Sequence, residues 1–184
     1  MATTTKLSEL TGDYVLDTAR TRIGFVARQA MLTKVRGQFD EFEGTAHLDG
    51  DDPSKSSVQL TIQARSIRTR NERRDAHLGS AFLDVSDHPA ITFASTGVAQ
   101  INGTTFTVTG DLTIRGATRP VSVDFGLTGT EHDPRGSFRV GFEGRATINR
   151  KDWGASWNAV LEGGGVLVGE KVTLEFDVAA VRQS

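Results

Sequence analysis

Apolar and polar residues alternate along most of this chain. Between residues 58 and 65 the apolar Val58, Leu60 and Ile62 are separated by polar side chains, which places the two kinds on opposite faces of a β-strand. We therefore predict an all-β protein of about eight strands. The same period of two is found in residues 14–17, 22–28, 34–49, 91–93, 106–114, 121–127, 138–148 and 172–178.

Turn-forming residues separate these stretches. Segments rich in Gly, Asn, Asp and Pro lie at residues 49–53, 102–103, 132–136 and 163–165, and short connections of this kind favour antiparallel neighbours. The long stretch 34–49 changes phase at Asp40 and Glu41, which predicts a β-bulge there. We expect a flexible segment over residues 1–11 and a single domain over residues 12–182.

Only residues 71–78 have the character of a helix. Asn71 is suited to cap the first turn, and Glu72 complements the helix dipole. A second short turn is expected over residues 29–32, where the alternation is interrupted.

Eight antiparallel strands with one apolar face can close into a barrel or form two stacked sheets. Small residues at inward positions favour a barrel with room for a ligand. Alternatively, these residues lie where strands coil or where a covering segment packs closely. The small positions are Ala27, Ala64, Gly110, Gly144 and Ala146.

Composition excludes several classes of function. The net charge of −2 offers no basic surface for nucleic acid, and the absence of cysteine excludes disulfides and thiol chemistry. The amino terminus lacks the apolar region of a secretory signal, so we expect a cytoplasmic protein. The sequence contains no run of about 18 apolar residues, so no transmembrane helix is predicted.

Motifs for catalysis or metal binding are not found in the sequence. The four histidines show no metal-ligand spacing, and no Gly-x-Ser-x-Gly motif is present. Residues 110–116 are rich in glycine but alternate like a strand, so they do not predict a phosphate loop. We expect no catalytic residues, metal or cofactor.

Two polar or aromatic clusters allow two interpretations each. Arg74 and His77 either bind a polar head group at a barrel mouth or brace its rim next to Asp75. Trp153 and Trp157 either form an exposed apolar patch or plug the end of the barrel, and the plug is the commoner arrangement in soluble monomers.

Five motifs resemble the YceI-like family of polyisoprenoid-binding proteins. They lie at residues 28–37 (RQAMLTKVRG), 66–78 (SIRTRNERRDAHL), 88–93 (HPAITF), 110–121 (GDLTIRGATRPV) and 149–154 (NRKDWG). The resemblance implies a lipocalin-like antiparallel barrel whose cavity takes an isoprenoid quinone or a polyprenyl phosphate, without catalysis. The chain departs from the family at Gln29, where histidine is frequent, and before Phe82, where an acidic residue is usual. Many relatives also carry an export signal.

These observations lead to a hypothesis of lipid storage or transport. The head group is expected near Arg28, Gln29, Arg74 and His77. The rival hypotheses are an enzyme with His77 and Asp75 as acid and base, and an interaction module with a filled core that works through its surface or as a homodimer. The residues expected to contact the apolar tail are Ile23, Phe25, Phe39, Leu60, Ile62, Phe93, Leu112, Ile114, Phe125, Val140 and Phe142.

Overall fold

The computed structural model describes residues 7–29, 33–154 and 168–183, which form mostly β-structure. The strands are β1 (Gly12–Leu16), β2 (Arg22–Gln29), β3 (Thr33–Phe39), β4 (Phe42–Leu48), β5 (Ser57–Gln63), β6 (Ile67–Arg68), β7 (Ala90–Gln100), β8 (Thr105–Ile114), β9 (Ala117–His132), β10 (Phe138–Asn149) and β11 (Val168–Arg182). One short helix, α1, spans Glu72–His77. Short 3-10 helices span Leu7–Leu10, Pro53–Lys55, Ala64–Ser66 and Arg150–Trp153.

The strands form one closed antiparallel barrel. Their hydrogen-bonded order is β1-β4-β5-β7-β8-β9-β10-β11, and β11 pairs with β1 to close the circle of eight. The remaining strands extend this wall, because β2 pairs with β11, β3 with β2, and β6 with β3. The predicted eight-stranded lipocalin-like barrel is confirmed.

The break between β3 and β4 falls where the sequence predicts a bulge. β3 ends at Phe39 and β4 begins at Phe42, with Asp40 and Glu41 between them. Phe39 and Phe42 are three positions apart, one more than the spacing of neighbouring residues on one face, so the break shifts the alternation by one residue and both rings pack against the same core.

The predicted helix is also confirmed. The Asn71 side chain accepts a hydrogen bond from the backbone N–H of Arg74 at 3.0 Å and so caps the N-terminus of α1. The helix continues into a π-helical turn over Leu78–Phe82.

The connections between strands alternate between two ends of the barrel. The α1 end contains α1, the β8–β9 hairpin and the Arg150–Trp153 turn, and the N-terminal end contains the Leu7–Leu10 turn. The β8–β9 hairpin turns through Arg115 and Gly116, which both have positive φ angles, of 54° and 75°. This two-residue turn matches the twist of the flanking strands.

Two apolar clusters occupy the two halves of the barrel. The cluster at the α1 end includes Ile62, Ile148 and Trp153, and the cluster at the N-terminal end includes Leu10 and Tyr14. The sequence predicts a flexible segment over residues 1–11, whereas Leu7–Leu10 packs as a helical turn against the barrel. Leu7 and Leu10 lie three residues apart, so one face of this turn is apolar.

None of the helices in the described ranges has both the length and the apolar character that a membrane-spanning helix requires.

Candidate functional site

The interior of the barrel contains a cavity of about 310 Å³. This volume lies within the range of pockets for small molecules, roughly 300–1,000 Å³. The cavity reaches from Leu10 and Tyr14 at the N-terminal end to Trp153 at the α1 end. Its wall is almost entirely apolar.

The length of the cavity follows from the strands that line it. On β10 the lining residues include Val140 and Ile148, which are separated by eight positions. At about 3.3 Å per residue, this part of the wall extends roughly 26 Å along the strand. The site therefore has the form of a tube and suits an elongated apolar molecule.

The small residues on the wall do not all leave empty space. A side chain added at Gly110 would meet the ring of Phe93 at 2.5 Å, and one added at Gly144 would meet the ring of Phe125 at 2.6 Å. The phenylalanine rings therefore fill the space that a side chain would take at these glycines of the neighbouring strand. Ala64 begins a 3-10 helix instead of facing the cavity from a strand.

The cavity brings together all of the residues that the sequence predicts for the tail. Whether they contact a ligand stays a prediction. The lining residues in question are Ile23, Phe25, Phe39, Leu60, Ile62, Phe93, Leu112, Ile114, Phe125, Val140 and Phe142. Sequence reasoning omitted other lining residues that follow the same alternation, including Val121, Val123, Ile148, Val172, Leu174 and Phe176.

The residues predicted for the head group are placed differently. The side chains of Arg28, Gln29 and His77 lie outside the part of the structure that is described. Arg74 donates hydrogen bonds from Nε to Thr69 Oγ1 at 2.8 Å and from Nη2 to the Thr69 carbonyl at 2.7 Å. These contacts make Arg74 a brace of the rim, and Arg74 is not among the described residues of the cavity wall.

Asp75 also binds Thr69. Its Oδ1 accepts hydrogen bonds from the backbone N–H and the hydroxyl of Thr69, at 2.8 and 2.5 Å. Thr69 is buried, so this network anchors the start of α1 to the barrel rim.

Trp153 closes the α1 end as a plug. Its side chain is buried, and the indole Nε1 donates a hydrogen bond to the carbonyl of Leu112 at 2.8 Å. The bond satisfies the polar atom of an otherwise apolar side chain. Trp157 lies outside the described residues.

Arg150 is a cavity residue that sequence reasoning missed. Its side chain is only 7% exposed and lines the cavity at the α1 end. Burial lowers the pKa of the Arg150 guanidinium from its usual value, while the nearby Glu170 carboxylate raises it. The available signal was the position of Arg150 directly after the alternating residues of β10.

No set of three or more histidine, aspartate or glutamate side chains within residues 7–29, 33–154 and 168–183 is grouped to hold a metal ion.

Comparison with solved structures identifies other barrels of this kind. Burkholderia cenocepacia BcnA has a TM-score of 0.78 at 22% identity, covering 89% of this chain and 98% of that protein. A polyisoprenoid binding domain from Saccharophagus degradans has a TM-score of 0.69 at 14% identity, covering 92% of this chain and 98% of that domain. At these identities the likeness shows the fold alone.

Sequence comparison identifies the family. A UPF0312 protein of Staphylococcus aureus is 35% identical over 165 residues, which cover 89% of this chain and 94% of that protein. UPF0312 proteins of Pseudomonas aeruginosa are 38% identical over 119 residues, which span 64% of this chain and only 62% of their own length. The family model described as the YceI-like domain matches residues 14–180, so this chain belongs to the YceI-like family.

Proposed function

We propose that this protein binds a long isoprenoid lipid inside its barrel and stores or carries it. The observation that carries this proposal is the elongated apolar cavity between the two ends of the barrel. A quinone or a polyprenyl phosphate has a tail of the required shape. The name of the Saccharophagus neighbour, a polyisoprenoid binding domain, supports the isoprenoid class.

Burial of the tail supplies the driving force. At about 25 cal/mol per Å² of apolar surface, a tail of several hundred Å² contributes on the order of 10 kcal/mol before ordering costs. The cavity wall offers almost no polar partner along its length, so straight or branched hydrocarbon is the chemistry that it accepts. Such an interaction is strong enough for the lipid to persist through purification.

The contacts of Asp75 argue against the enzyme hypothesis. An acid–base pair of His77 and Asp75 requires both side chains to face the cavity, whereas the Asp75 carboxylate binds Thr69 at the rim. The family has the fold of a binding protein. The cavity also argues against an interaction module with a filled core. A cytoplasmic location and a homodimer stay predictions.

The first test is direct recovery of the ligand. We expect organic extraction of freshly purified native protein, followed by mass spectrometry, to yield a lipid with repeating isoprene units. Repeated recovery of no lipid, together with no saturable binding of added farnesol, would contradict the proposal.

A matched pair of variants on β2 tests whether the cavity is the binding site. Ala27 lines the cavity, whereas Val26, its neighbour on β2, is not among the described lining residues. Ala27→Phe fills the cavity and is expected to lower lipid recovery at least about tenfold, since overpacking costs about 1–3 kcal/mol. Val26→Phe is expected to retain the lipid. Circular dichroism verifies that both variants fold, and equal recovery from the two would place the lipid elsewhere.

A further inference from the structure

Both ends of the barrel are closed, so an apolar ligand needs a route to the cavity. At the α1 end the buried Trp153 donates its indole hydrogen bond to the Leu112 carbonyl on β8. At the N-terminal end the buried Leu10 accepts a hydrogen bond from the Tyr14 hydroxyl on β1. Hydrogen bonds therefore fasten both plugs to strands of the wall.

One part of the wall is helical. β6 contains two residues and pairs with β3, and the next strand in the chain, β7, pairs with β5 and β8. Residues 69–89 connect β6 to β7, and Leu78 and Leu83 of this connection line the cavity together with the strands. A ladder of backbone hydrogen bonds holds neighbouring strands together, whereas this part of the wall is formed by α1 and the π-helical turn that follows it. Residues 71–83 of this connection are named the flap.

The flap lies between two residues with a left-handed backbone. The φ angles of Arg70 and Asp84 are 64° and 50°, a region that is unfavourable for residues with a Cβ atom, and more so for arginine than for aspartate. Rotation of either residue into the right-handed or the extended region relieves this strain. Hinges consist of a few residues at the ends of an element that take up such φ and ψ changes. The closed position of the flap thus carries a cost that its opening removes.

Hydrogen bonds near both ends of the flap hold it closed. At the first end, the Arg74 and Asp75 side chains bond to the buried Thr69. At the second end, the backbone N–H of Val85 donates a hydrogen bond to the Gly79 carbonyl at 2.9 Å. A local set of contacts of this kind can break and re-form while the strands of the barrel stay folded.

We propose that the flap opens about Arg70 and Asp84 to admit and release the apolar ligand, while both plugs stay in place. This inference rests on the proposed function and adds the route by which the ligand reaches the cavity. Leu78 and Leu83 form part of the cavity wall, so outward movement of the flap opens the apolar interior directly. The outer side of α1 is already in water, because Glu72 and Ala76 are exposed.

A disulfide can lock the flap, because the chain contains no cysteine that would compete for the bond. A Cβ atom at Gly79 would lie 3.8 and 3.9 Å from the two methyl groups of Val85, which lies beyond the Asp84 hinge. Gly79→Cys/Val85→Cys therefore brings two sulfur atoms within bonding distance and ties the flap to the far side of its hinge. Thr113→Cys/Thr118→Cys is the matched control, since these residues pair on β8 and β9 with their hydroxyl oxygens 2.8 Å apart.

The measured quantity is the rate at which each protein releases tritium-labelled farnesol after an excess of unlabelled farnesol is added. We expect the oxidised Gly79→Cys/Val85→Cys variant to release it at least roughly tenfold more slowly than the wild type, because a covalent bond opposes opening. Reduction with dithiothreitol is expected to restore the wild-type rate. The equilibrium affinity is expected to stay close to that of the wild type, since the lock slows entry and release alike. The control disulfide is expected to leave the rate unchanged.

Thr69→Val changes the rate in the opposite direction and needs no disulfide. The substitution keeps an apolar body of similar size but removes the hydroxyl that bonds to Arg74 and Asp75. We expect release of farnesol to become roughly three- to tenfold faster, the equivalent of about one hydrogen bond. This variant decides the question if the double-cysteine variant does not fold or does not oxidise.

The outcomes separate the two proposals. An unchanged release rate in the oxidised lock, or in Thr69→Val where the lock does not form, overturns the flap as the route and leaves lipid binding intact. Equal slowing by the control disulfide also overturns it, because the effect then does not belong to the flap. The absence of saturable farnesol binding by the wild type overturns the proposed function itself.

Discussion

The two ends of the barrel are closed by different chemistry. At the N-terminal end, the buried Leu10 and Tyr14 form an apolar plug, and the Tyr14 hydroxyl donates its hydrogen bond to the Leu10 carbonyl at 2.8 Å. At the α1 end, Trp153 forms a similar plug, but the buried guanidinium of Arg150 lies beside it. Among the lining residues that the structure describes, only Arg150 at the second end adds a full charge from a deeply buried position.

This difference indicates what each end contributes to stability and to ligand binding. An apolar plug whose polar atom is satisfied adds stability through burial. A buried charge costs free energy unless good partners compensate it, so it is weak evidence for a gain in stability. We therefore expect changes at the N-terminal end to alter stability alone, and changes at the α1 end to alter stability and retention of the lipid.

The largest effect is expected from Trp153→Ala. The variant loses a buried indole and its hydrogen bond to Leu112, so we expect the free energy of unfolding to fall by about 3–5 kcal/mol. Urea denaturation monitored by circular dichroism measures this change. Recovery of lipid from this variant is also expected to decline, because the plug at this end of the cavity is removed.

Leu10→Ala is the corresponding change at the other end. We expect the free energy of unfolding to fall by about 2–5 kcal/mol. The change should lie in the lower part of this range because a short helical turn can shift to fill the gap. Its recovery of lipid is expected to match the wild type. A loss of lipid in Leu10→Ala but not in Trp153→Ala would reverse the assignment of the two ends.

The strands of the barrel wall can be predicted from the alternation alone, whereas its closure is indicated by the small inward residues and by the family resemblance. Alternation is local information, so it predicts the strands, the break in phase at Asp40–Glu41 and the inward residues such as Phe125 and Val140. The alternation does not record which strands become neighbours. The contact of Phe125 with Gly144 on the adjacent strand therefore cannot be predicted from the alternation.

The polar residues of the α1 end were harder to assign for a related reason. Arg74 and Arg150 are both arginines in family-like motifs, and the sequence singled out Arg74 because a histidine follows it in the same helix. In the fold, Arg74 turns to Thr69 at the rim and Arg150 lines the cavity. The direction of a side chain at the end of a strand depends on the turn that follows it in the folded protein. The alternation along the sequence does not encode this turn.

A smaller effect is expected from Tyr14→Phe. The variant leaves the buried Leu10 carbonyl without its donor, so we expect a loss of about 1 kcal/mol near neutral pH. The cavity wall remains apolar, and lipid recovery is expected to stay unchanged.

The pH dependence of the Tyr14 contribution has a defined sign. Burial raises the pKa of Tyr14 above its usual value near 10, so the folded protein holds this proton more tightly than the unfolded chain. The resulting stabilisation is complete below the unfolded pKa and is lost as the pH rises through the folded pKa. The chain contains one tyrosine, so tyrosinate absorbance reports Tyr14 alone. Titration of the folded protein with an unshifted or lowered pKa would contradict the burial of this side chain.

The smallest effect is expected from Arg182, which covers the N-terminal plug from outside. Its guanidinium carbon lies 4.4 Å from the centre of the Phe138 ring, and Nη1 donates a hydrogen bond to the Glu9 carbonyl at 2.9 Å. Arg182→Lys keeps the charge but loses the planar group, and we expect a cost of about 0.5–1 kcal/mol in urea denaturation.

Arg182 also lowers the pKa of Tyr14 and opposes the effect of burial. Arg182→Met is therefore expected to raise that pKa further in the tyrosinate titration, while Arg182→Lys retains most of the opposition. A change in lipid recovery in either variant would mean that the N-terminal end also takes part in retaining the lipid, because these changes leave the α1 end untouched.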